Sequence, residues 1–207
     1  MISFRFCRLR FGLLGVLVAV SRPLLLAGED WESQQLHDQF FAEGASFGDI
    51  DGDGRGDLVS GPYWWKGPSF SKRFEIYEPE PFGIRTYSDN FFSHIHDIDG
   101  DGDQDVLVFG FPGKEGRLYL NPGDPEKDGH WKMNVVADLI SHESPAFVDV
   151  IPGGLPEIVC SRGRAFGYFE AGDDPSRAWD WKVVSEVGES AVKFGHGLGT
   201  GDLDGDG

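Results

Sequence analysis

Hydrophobic positions along the chain fall in short runs that polar and turn-forming residues interrupt. Three runs begin with an acid and continue with mostly aliphatic residues, at 57–61, 105–110 and 157–161. An aromatic-containing run follows each of them, at 63–65, 117–120 and 166–169. No long window has the spacing of an amphipathic helix, and short runs bounded by Gly, Pro, Asn or Asp are typical of strands. The pattern therefore predicts an all-β fold.

The same order of segments recurs along the chain as a repeat. Each unit has a lead-in segment, an acidic loop, an aliphatic strand, an aromatic strand, a turn-rich stretch and a last strand, at 73–77, 131–136 or 181–184. The loops start at Asp49, Asp97, Asp149 and Asp202, with spacings of 48, 52 and 53 residues. A period near 50 residues suits one four-stranded propeller blade. We predict a partial β-propeller of about three and a half blades, whose repeated Trp and Tyr residues pack the blades.

The first acidic loop carries the strongest chemical signal in the sequence. Its positions 1, 3, 5 and 9 are acids, namely Asp49, Asp51, Asp53 and Asp57. Carboxylates that converge in a tight loop repel one another unless a cation lies between them. Calcium takes six to eight oxygen ligands, and the backbone carbonyl of Arg55 at position 7 can supply another. The loop is therefore predicted to bind Ca²⁺, and almost the same stretch returns at Asp97.

The third and fourth loops depart from this pattern. The third keeps Asp149 and Glu157 but has Ile151 and Gly153 at positions 3 and 5. We expect it to keep the hairpin and to bind calcium weakly or not at all. The fourth has acids at positions 1, 3 and 5 before the sequence ends at Gly207, which indicates a fragment of a longer protein cut inside a repeat. Those acids are Asp202, Asp204 and Asp206.

These repeats resemble the FG-GAP repeat, also called the VCBS-type repeat, of integrin α-chain heads and many bacterial secreted proteins. Phe47-Gly48 matches the FG of the name, and Ser60-Gly61-Pro62 stands where the family has GAP. The resemblance covers nearly all of residues 40–207 and implies a propeller, often seven-bladed, with calcium loops between adjacent strands. The implied ligands are Asp49, Asp51, Asp53, Arg55 (carbonyl) and Asp57, and Asp97, Asp99, Asp101, Asp103 (carbonyl) and Asp105. Asp202, Asp204 and Asp206 match only the first half of the motif.

Two other interpretations of the first loop fit less well. An EF-hand needs a glutamate at position 12, where the first loop has Ser60 and the second has Val108. Arg55-Gly56-Asp57 also spells the cell-adhesion tripeptide RGD, but Asp57 is better explained as an inward-facing metal ligand.

Charge and the N-terminus indicate the compartment and the partners. The formal charge of −17 argues against nucleic acid and anionic membranes as partners. Residues 1–27 have a basic start and an apolar run at 11–20, which predicts a signal peptide cleaved after Ala27. An uncleaved membrane anchor is the alternative. Cleavage leaves residues 28–207 as the propeller repeats, with Cys160 as the single cysteine and no internal disulfide. We expect a secreted, periplasmic or cell-surface protein.

Four histidines precede the loop starts by at most seven residues, namely His94, His96, His142 and His196. In a propeller such segments lie near the central axis, so these side chains could bind a sugar, a transition metal or a catalytic water. The alternative is that they are exposed or hydrogen-bonded core histidines.

Two functional hypotheses follow from these observations. The first is a non-enzymatic module that binds a glycan or an extracellular protein and uses calcium structurally. The second is the propeller part of a polysaccharide-degrading enzyme, lyase- or hydrolase-like, with its active site at the propeller axis. A scaffold for a catalytic domain after residue 207 is a third possibility.

Overall fold

The computed structural model describes residues 33–127, 129–188 and 193–205. The chain divides into two units, Met1–Gln34 and Gln35–Gly207, and the strands described below lie in the second. The signal-peptide prediction for residues 1–27 and the predicted ligand Asp206 fall outside the described residues. Among the described residues, no helix is long and apolar enough to cross a membrane.

Within the described residues, twelve strands form three four-stranded antiparallel sheets, and consecutive strands are neighbours in each sheet. Sheet 1 comprises β1 (Ser46–Gly48), β2 (Asp57–Ser60), β3 (Tyr63–Trp65) and β4 (Arg73–Glu75). Sheet 2 comprises β5 (Phe92–His96), β6 (Asp105–Phe109), β7 (Lys114–Leu120) and β8 (Lys132–Ile140). Sheet 3 comprises β9 (Ala146–Val148), β10 (Glu157–Arg162), β11 (Ala165–Glu170) and β12 (Asp180–Val183). The prediction of an all-β chain with four strands in each repeat is confirmed for these three repeats.

Two local features differ from the sequence prediction. Strand β8 continues to Ile140, beyond the predicted end at residue 136, and its pairing with β7 shifts register around Gly116. The fourth lead-in segment, at 194–202, forms no strand. In the other three repeats the lead-in strand pairs with the strand that follows the acidic loop. The described residues provide no such partner for the fourth segment.

The core lies between consecutive sheets, and β6 contributes to both parts of it. Val106 and Val108 point to a cluster that they share with Val59 and Trp64 of sheet 1. Leu107 belongs to a second cluster, which includes residues of sheet 3. Alternate strand residues point to opposite faces, so β6, which is buried at all five positions, is covered on both sides.

Trp131 and Trp179 directly precede the last strands of sheets 2 and 3, and each makes an equivalent backbone contact with the preceding sheet. The backbone N–H of Trp131 donates to the carbonyl of Ile76, at 2.8 Å, and that of Trp179 donates to the carbonyl of Val136, at 2.7 Å. Each tryptophan therefore ties its own sheet to the preceding one. The interpretation of the repeated aromatics as core is confirmed for the five that are at most 5% exposed, namely Tyr63, Trp64, Trp65, Tyr119 and Trp131. Tyr168 and Trp181 are half-buried, and the buried tryptophan of the third repeat is Trp179.

Because β6 contributes side chains to two separate clusters, one on each face, truncation of a side chain on either face should destabilise the fold. We expect Leu107→Ala and Val108→Ala to lower the free energy of unfolding by about 2–5 and about 1–3 kcal/mol. Urea denaturation followed by tryptophan fluorescence measures both. The exposed Met133→Ala is the control, and an effect of Val108→Ala no larger than that control would contradict the two-sided burial.

Candidate metal centre

Each acidic loop connects the first strand of a sheet to the second. Position 1 directly follows the first strand, and position 9 begins the second strand in all three sheets. The closing pairs are Gly48 with Asp57, His96 with Asp105, and Val148 with Glu157. The hairpin predicted for the degenerate third loop is therefore present, and the three loops occupy the same place in their sheets.

The backbone of the first two loops turns at two glycines. Positions 4 and 6 have positive φ in both, at 70° for Gly52, 82° for Gly54, 77° for Gly100 and 98° for Gly102. Residues with a side chain rarely adopt this left-handed conformation. The alternation of glycine with aspartate is therefore a backbone requirement as well as a pattern of ligands.

Backbone N–H groups hold the carboxylates of these loops in place. Asp49 accepts from the N–H of Gly54 at 2.9 Å, and Asp97 accepts from the N–H of Gly102 at 3.1 Å, which is the same contact between positions 1 and 6. The carboxylates at positions 3 and 5 each accept from the N–H two residues later. Such local bonds are typical of Asp in turns, and they orient the acids of both loops alike.

Three acids converge in each of the two loops. One carboxylate oxygen each from Asp49, Asp51 and Asp53 lies within 4.8 Å of the other two, and the same holds for Asp97, Asp99 and Asp105. Carboxylate oxygens are the hard donors that Ca²⁺ prefers, so the donor sets fit the predicted ion. Asp57 and Asp101 are not members of these groups, and the carbonyl ligands assigned to Arg55 and Asp103 stay a prediction.

The acid at position 9 has a structural role of its own. Asp57 is fully buried and accepts from the N–H of Ile50 at 2.9 Å and of Gly67 at 2.7 Å. Asp105 does the same with the N–H groups of Ile98 at 3.0 Å and Asn121 at 2.8 Å. Burial of Asp57 also leaves the tripeptide at 55–57 without an accessible acid, which agrees with the rejection of an adhesion role.

Burial governs the protonation of these acids. It raises the pKa of Asp105 to about 6, although the two N–H donors oppose this shift. The pKa of Asp57 is raised by burial as well. Burial, and then the charge of Asp101, raise the pKa of Asp99. A raised pKa means that the charged form of each carboxylate is destabilised. A bound dication favours that charged form and so offsets the destabilisation.

A lysine outside the first loop, Lys66, places its ammonium beside the acids of that loop, and the sequence analysis missed this contact. The Lys66 ammonium forms a salt bridge with Asp51, and its Nζ lies 3.6 Å from Asp53 Oδ2 and 2.6 Å from Glu126 Oε1. These carboxylates raise the pKa of Lys66, chiefly through its hydrogen bond to Asp51. A lysine directly after an aromatic strand gives no sequence signal of this contact.

A buried asparagine links the first two loops, and it was also missed. Asn121 is 6% exposed, and its Nδ2 donates to the carbonyls of Ile50 and Gln104, both at 3.0 Å. Its place in the Asn-Pro-Gly sequence at 121–123 indicated only a turn. The partner in sheet 1 is 71 residues away in sequence, so only the packing of the two sheets reveals the contact.

The third loop differs in backbone as well as in ligands. Proline at position 4 fixes φ near −65°, and the positive φ moves to Gly153 at position 5, at 99°. Glu157 closes the hairpin in place of an aspartate, since its Oε2 accepts from the N–H groups of Val150 at 2.9 Å and Ile151 at 3.2 Å. An aspartate at position 153 would be strained, so restoring the acids alone does not restore the loop.

The described part of the fourth loop begins like the first two. Gly205, at position 4, has a φ of 79°, and its N–H donates to Asp202 Oδ1 at 2.6 Å. This is the contact that Gly100 makes with Asp97 in the second loop. Asp204 is exposed, and a metal site in this loop stays a prediction.

The four histidines before the loops differ in burial. His94 lies among apolar groups, with ring centroids 5.0 Å from Phe109 and 5.6 Å from Phe147, and its Nε2 has no hydrogen-bond partner. Burial lowers its pKa to about 4. His196 is exposed, with Nδ1 3.0 Å from Glu143 Oε2. His94 therefore packs among apolar side chains, but the predicted alternative of an exposed or hydrogen-bonded core histidine is not confirmed for its Nε2.

Comparison with known proteins does not identify a family. A scan against protein-family models, a search of curated proteins and a search of solved structures gave no match. The functional argument therefore depends on the geometry above and on the motifs in the sequence.

The third loop allows the structural role of position 9 to be separated from metal binding. We expect Glu157→Ala to lower the free energy of unfolding by about 1–3 kcal/mol, because the buried carboxylate is lost and loop N–H groups are left unpaired. Urea denaturation with and without EGTA measures the loss, which should be the same in both. The exposed Asp149→Ala is the control, and equal effects of the two variants would contradict this role.

Burial of neutral His94 should make the protein sensitive to acid. The unfolded state takes up a proton near pH 6.5, whereas folded His94 does not until about pH 4. The stability associated with neutral His94 is therefore present above pH 6.5 and falls as the pH decreases towards 4. We expect His94→Gln to remove about 2 kcal/mol of the loss between pH 7 and pH 4.5.

Urea denaturation at the two pH values tests this expectation. The exposed His130→Gln, which also removes one imidazole, serves as the control. An unchanged pH dependence in His94→Gln would show that His94 has the same pKa in the folded and the unfolded chain, which would contradict this expectation.

Proposed function

We propose that this chain is part of a calcium-stabilised β-propeller that binds a glycan or a protein ligand outside the cytoplasm. The observation that carries the proposal is the pair of equivalent hairpin loops at 49–57 and 97–105. Each brings three carboxylates together, and each follows the first strand of a four-stranded sheet.

Contacts between the sheets support the propeller. The first strands of sheets 1 and 2 lie side by side, since Ser46 Oγ is 3.1 Å from Ser93 Oγ. The first strand of sheet 3 continues the series, because Phe147 contacts both His94 and His96 of sheet 2. First strands that adjoin and sheets that pack face to face are the arrangement around a propeller axis.

The role proposed for calcium is structural. A dication between the carboxylates supplies the positive charge that offsets their mutual repulsion. The chain's own groups provide the rest, because backbone N–H groups orient the acids and Asp57 and Asp105 close the hairpins. Binding to the folded state alone stabilises it by about 2.7 kcal/mol per site at a hundredfold excess over Kd.

Two adjoining clefts support a ligand-binding role. One, of about 240 Å³, lies between sheets 1 and 2 and is lined by Phe41, Pro62, Tyr77, Glu78, Glu80, Phe82, Asp89, Asn90 and Arg117. The other, of about 460 Å³, shares Glu80, Phe82 and Asp89 and adds the exposed Tyr87. Aromatic faces beside carboxylates and amides are the usual composition of a site for sugars or for peptide side chains. We expect the ligand there.

Calorimetry and thermal unfolding of the full chain test the calcium proposal. We expect calcium to bind at two sites in the described loops, and Asp53→Ala or Asp99→Ala to remove one each. EGTA should lower the melting temperature by roughly 5–10 °C per loaded site. Asp173→Ala, an exposed acid in a turn, is the control. The proposal would be refuted if calcium produced no heat of binding and EGTA caused no shift in the melting temperature.

A further inference from the structure

The two complete loops have the same ligand pattern but different surroundings. The residue after β3 is Lys66, whose ammonium reaches Asp51, Asp53 and Glu126. The equivalent residue of sheet 2 is Leu120, because the next N–H in each case, of Gly67 or of Asn121, donates to the position-9 acid. Leu120 packs against the apolar cluster between sheets 2 and 3. One loop thus has a cation within reach, and the corresponding position of the other is apolar.

We infer that Lys66 is a built-in cation of the first loop, which holds that loop without metal and lowers its affinity for calcium. This inference rests on the proposed calcium function. The two loops therefore differ in calcium affinity. As the calcium concentration rises, the second loop binds calcium first, and the first loop binds it only when calcium displaces the ammonium.

The geometry supplies the reason for this competition. Two of the three acids that converge in the first loop, Asp51 and Asp53, are the two that Lys66 contacts. The Asp51 side chain is only 6% exposed, so the ion pair is largely shielded from solvent. A calcium ion near the same oxygens would repel the ammonium and would have to replace its hydrogen bond to Asp51.

Glu126 gives the displaced ammonium another partner. It lies in the turn before the last strand of sheet 2, and its Oε1 is already 2.6 Å from Lys66 Nζ. Glu126 is more exposed than Asp51, at 38% against 6% for the side chains. The ammonium can therefore leave the loop and stay paired, and this ion pair between sheets 1 and 2 persists when the loop holds calcium.

The test measures calcium binding to each loop separately in the full-length chain. Asp99→Ala leaves only the site of the first loop, and Asp53→Ala leaves only that of the second. We expect Lys66→Met to raise the calcium affinity of the first loop by about 10-fold or more, because a same-sign charge is removed beside the ion. It should change the affinity of the second loop less than about 2-fold. Lys72→Met removes the same charge from an exposed lysine and should have little effect on either.

A metal-free measurement tests the other half of the inference. In EGTA, Lys66→Met should lower the melting temperature by several degrees relative to wild type and to Lys72→Met, because Asp51 and Asp53 lose the ammonium that lies beside them. The substitution is therefore expected to act in opposite directions, with weaker stability in EGTA and tighter calcium binding. A general loss of packing would give only the first effect.

A second variant keeps the inference falsifiable if Lys66→Met does not fold. Glu126→Gln removes the outer partner of Lys66, so the ammonium stays with the loop and calcium affinity of the first loop should fall about 3–10-fold. If the double variant Lys66→Met/Glu126→Gln folds, Glu126→Gln should lower the calcium affinity of the first loop less in the Lys66→Met background than in wild type. That smaller effect would show that Glu126 acts through the lysine.

The outcomes separate the inference from the function on which it rests. If each loop binds calcium and Lys66→Met leaves the first-loop affinity unchanged or lower, the inference is wrong and the calcium proposal stands. If Lys66→Met fails to fold and Glu126→Gln leaves that affinity unchanged, the same conclusion follows. If wild type binds no calcium at all, both are wrong.

Discussion

The rest of this structure depends on a buried carboxylate at the start of the second strand of each sheet. Asp57, Asp105 and Glu157 are each at most 2% exposed, and each accepts hydrogen bonds from backbone N–H groups of its loop. A buried carboxylate is costly unless it is hydrogen-bonded, so these bonds fix the loop against the strand. The same closure holds in all three repeats, although the third has lost most of its other acids.

Closing the hairpin in this way brings carboxylates close together, and the three loops differ in how their mutual repulsion is offset or avoided. The turn brings three acids close together in each of the first two loops, at positions 1, 3 and 5 in the first and at 1, 3 and 9 in the second. These acids repel one another. The first loop has Lys66 beside Asp51 and Asp53. The second has an apolar residue at the equivalent place, and the proposed calcium would supply its positive charge. The third has Ile151 and Gly153 in place of acids.

Packing between the sheets constrains the loops further. The strand that starts at Asp105 is buried on both faces, so its first residue can move little. Asn121 donates to one carbonyl of each of the first two loops, which connects them through sheet 2. A change at one loop therefore reaches the interface with the next sheet. This is consistent with a proposed propeller in which metal binding stabilises the contacts between blades.

The sequence by itself determined the strand order, the repeat and the position of the acidic loops. Strand-length runs, glycines at positions 4 and 6 and acids at 1, 3, 5 and 9 are local features, and local features specify hairpins. The buried aromatics followed from their recurrence at the same place in each unit. The family resemblance, the signal peptide and the ligand remain predictions.

Only the tertiary structure decided which groups surround each loop. Lys66 and Glu126 are 60 residues apart, and Asn121 and Ile50 are 71 residues apart. The lysine could equally have extended into solvent, as most exposed lysines do. Its place between Asp51 and Glu126 depends on how sheet 1 packs against the turn of sheet 2, and a linear pattern of residue types does not encode that distance.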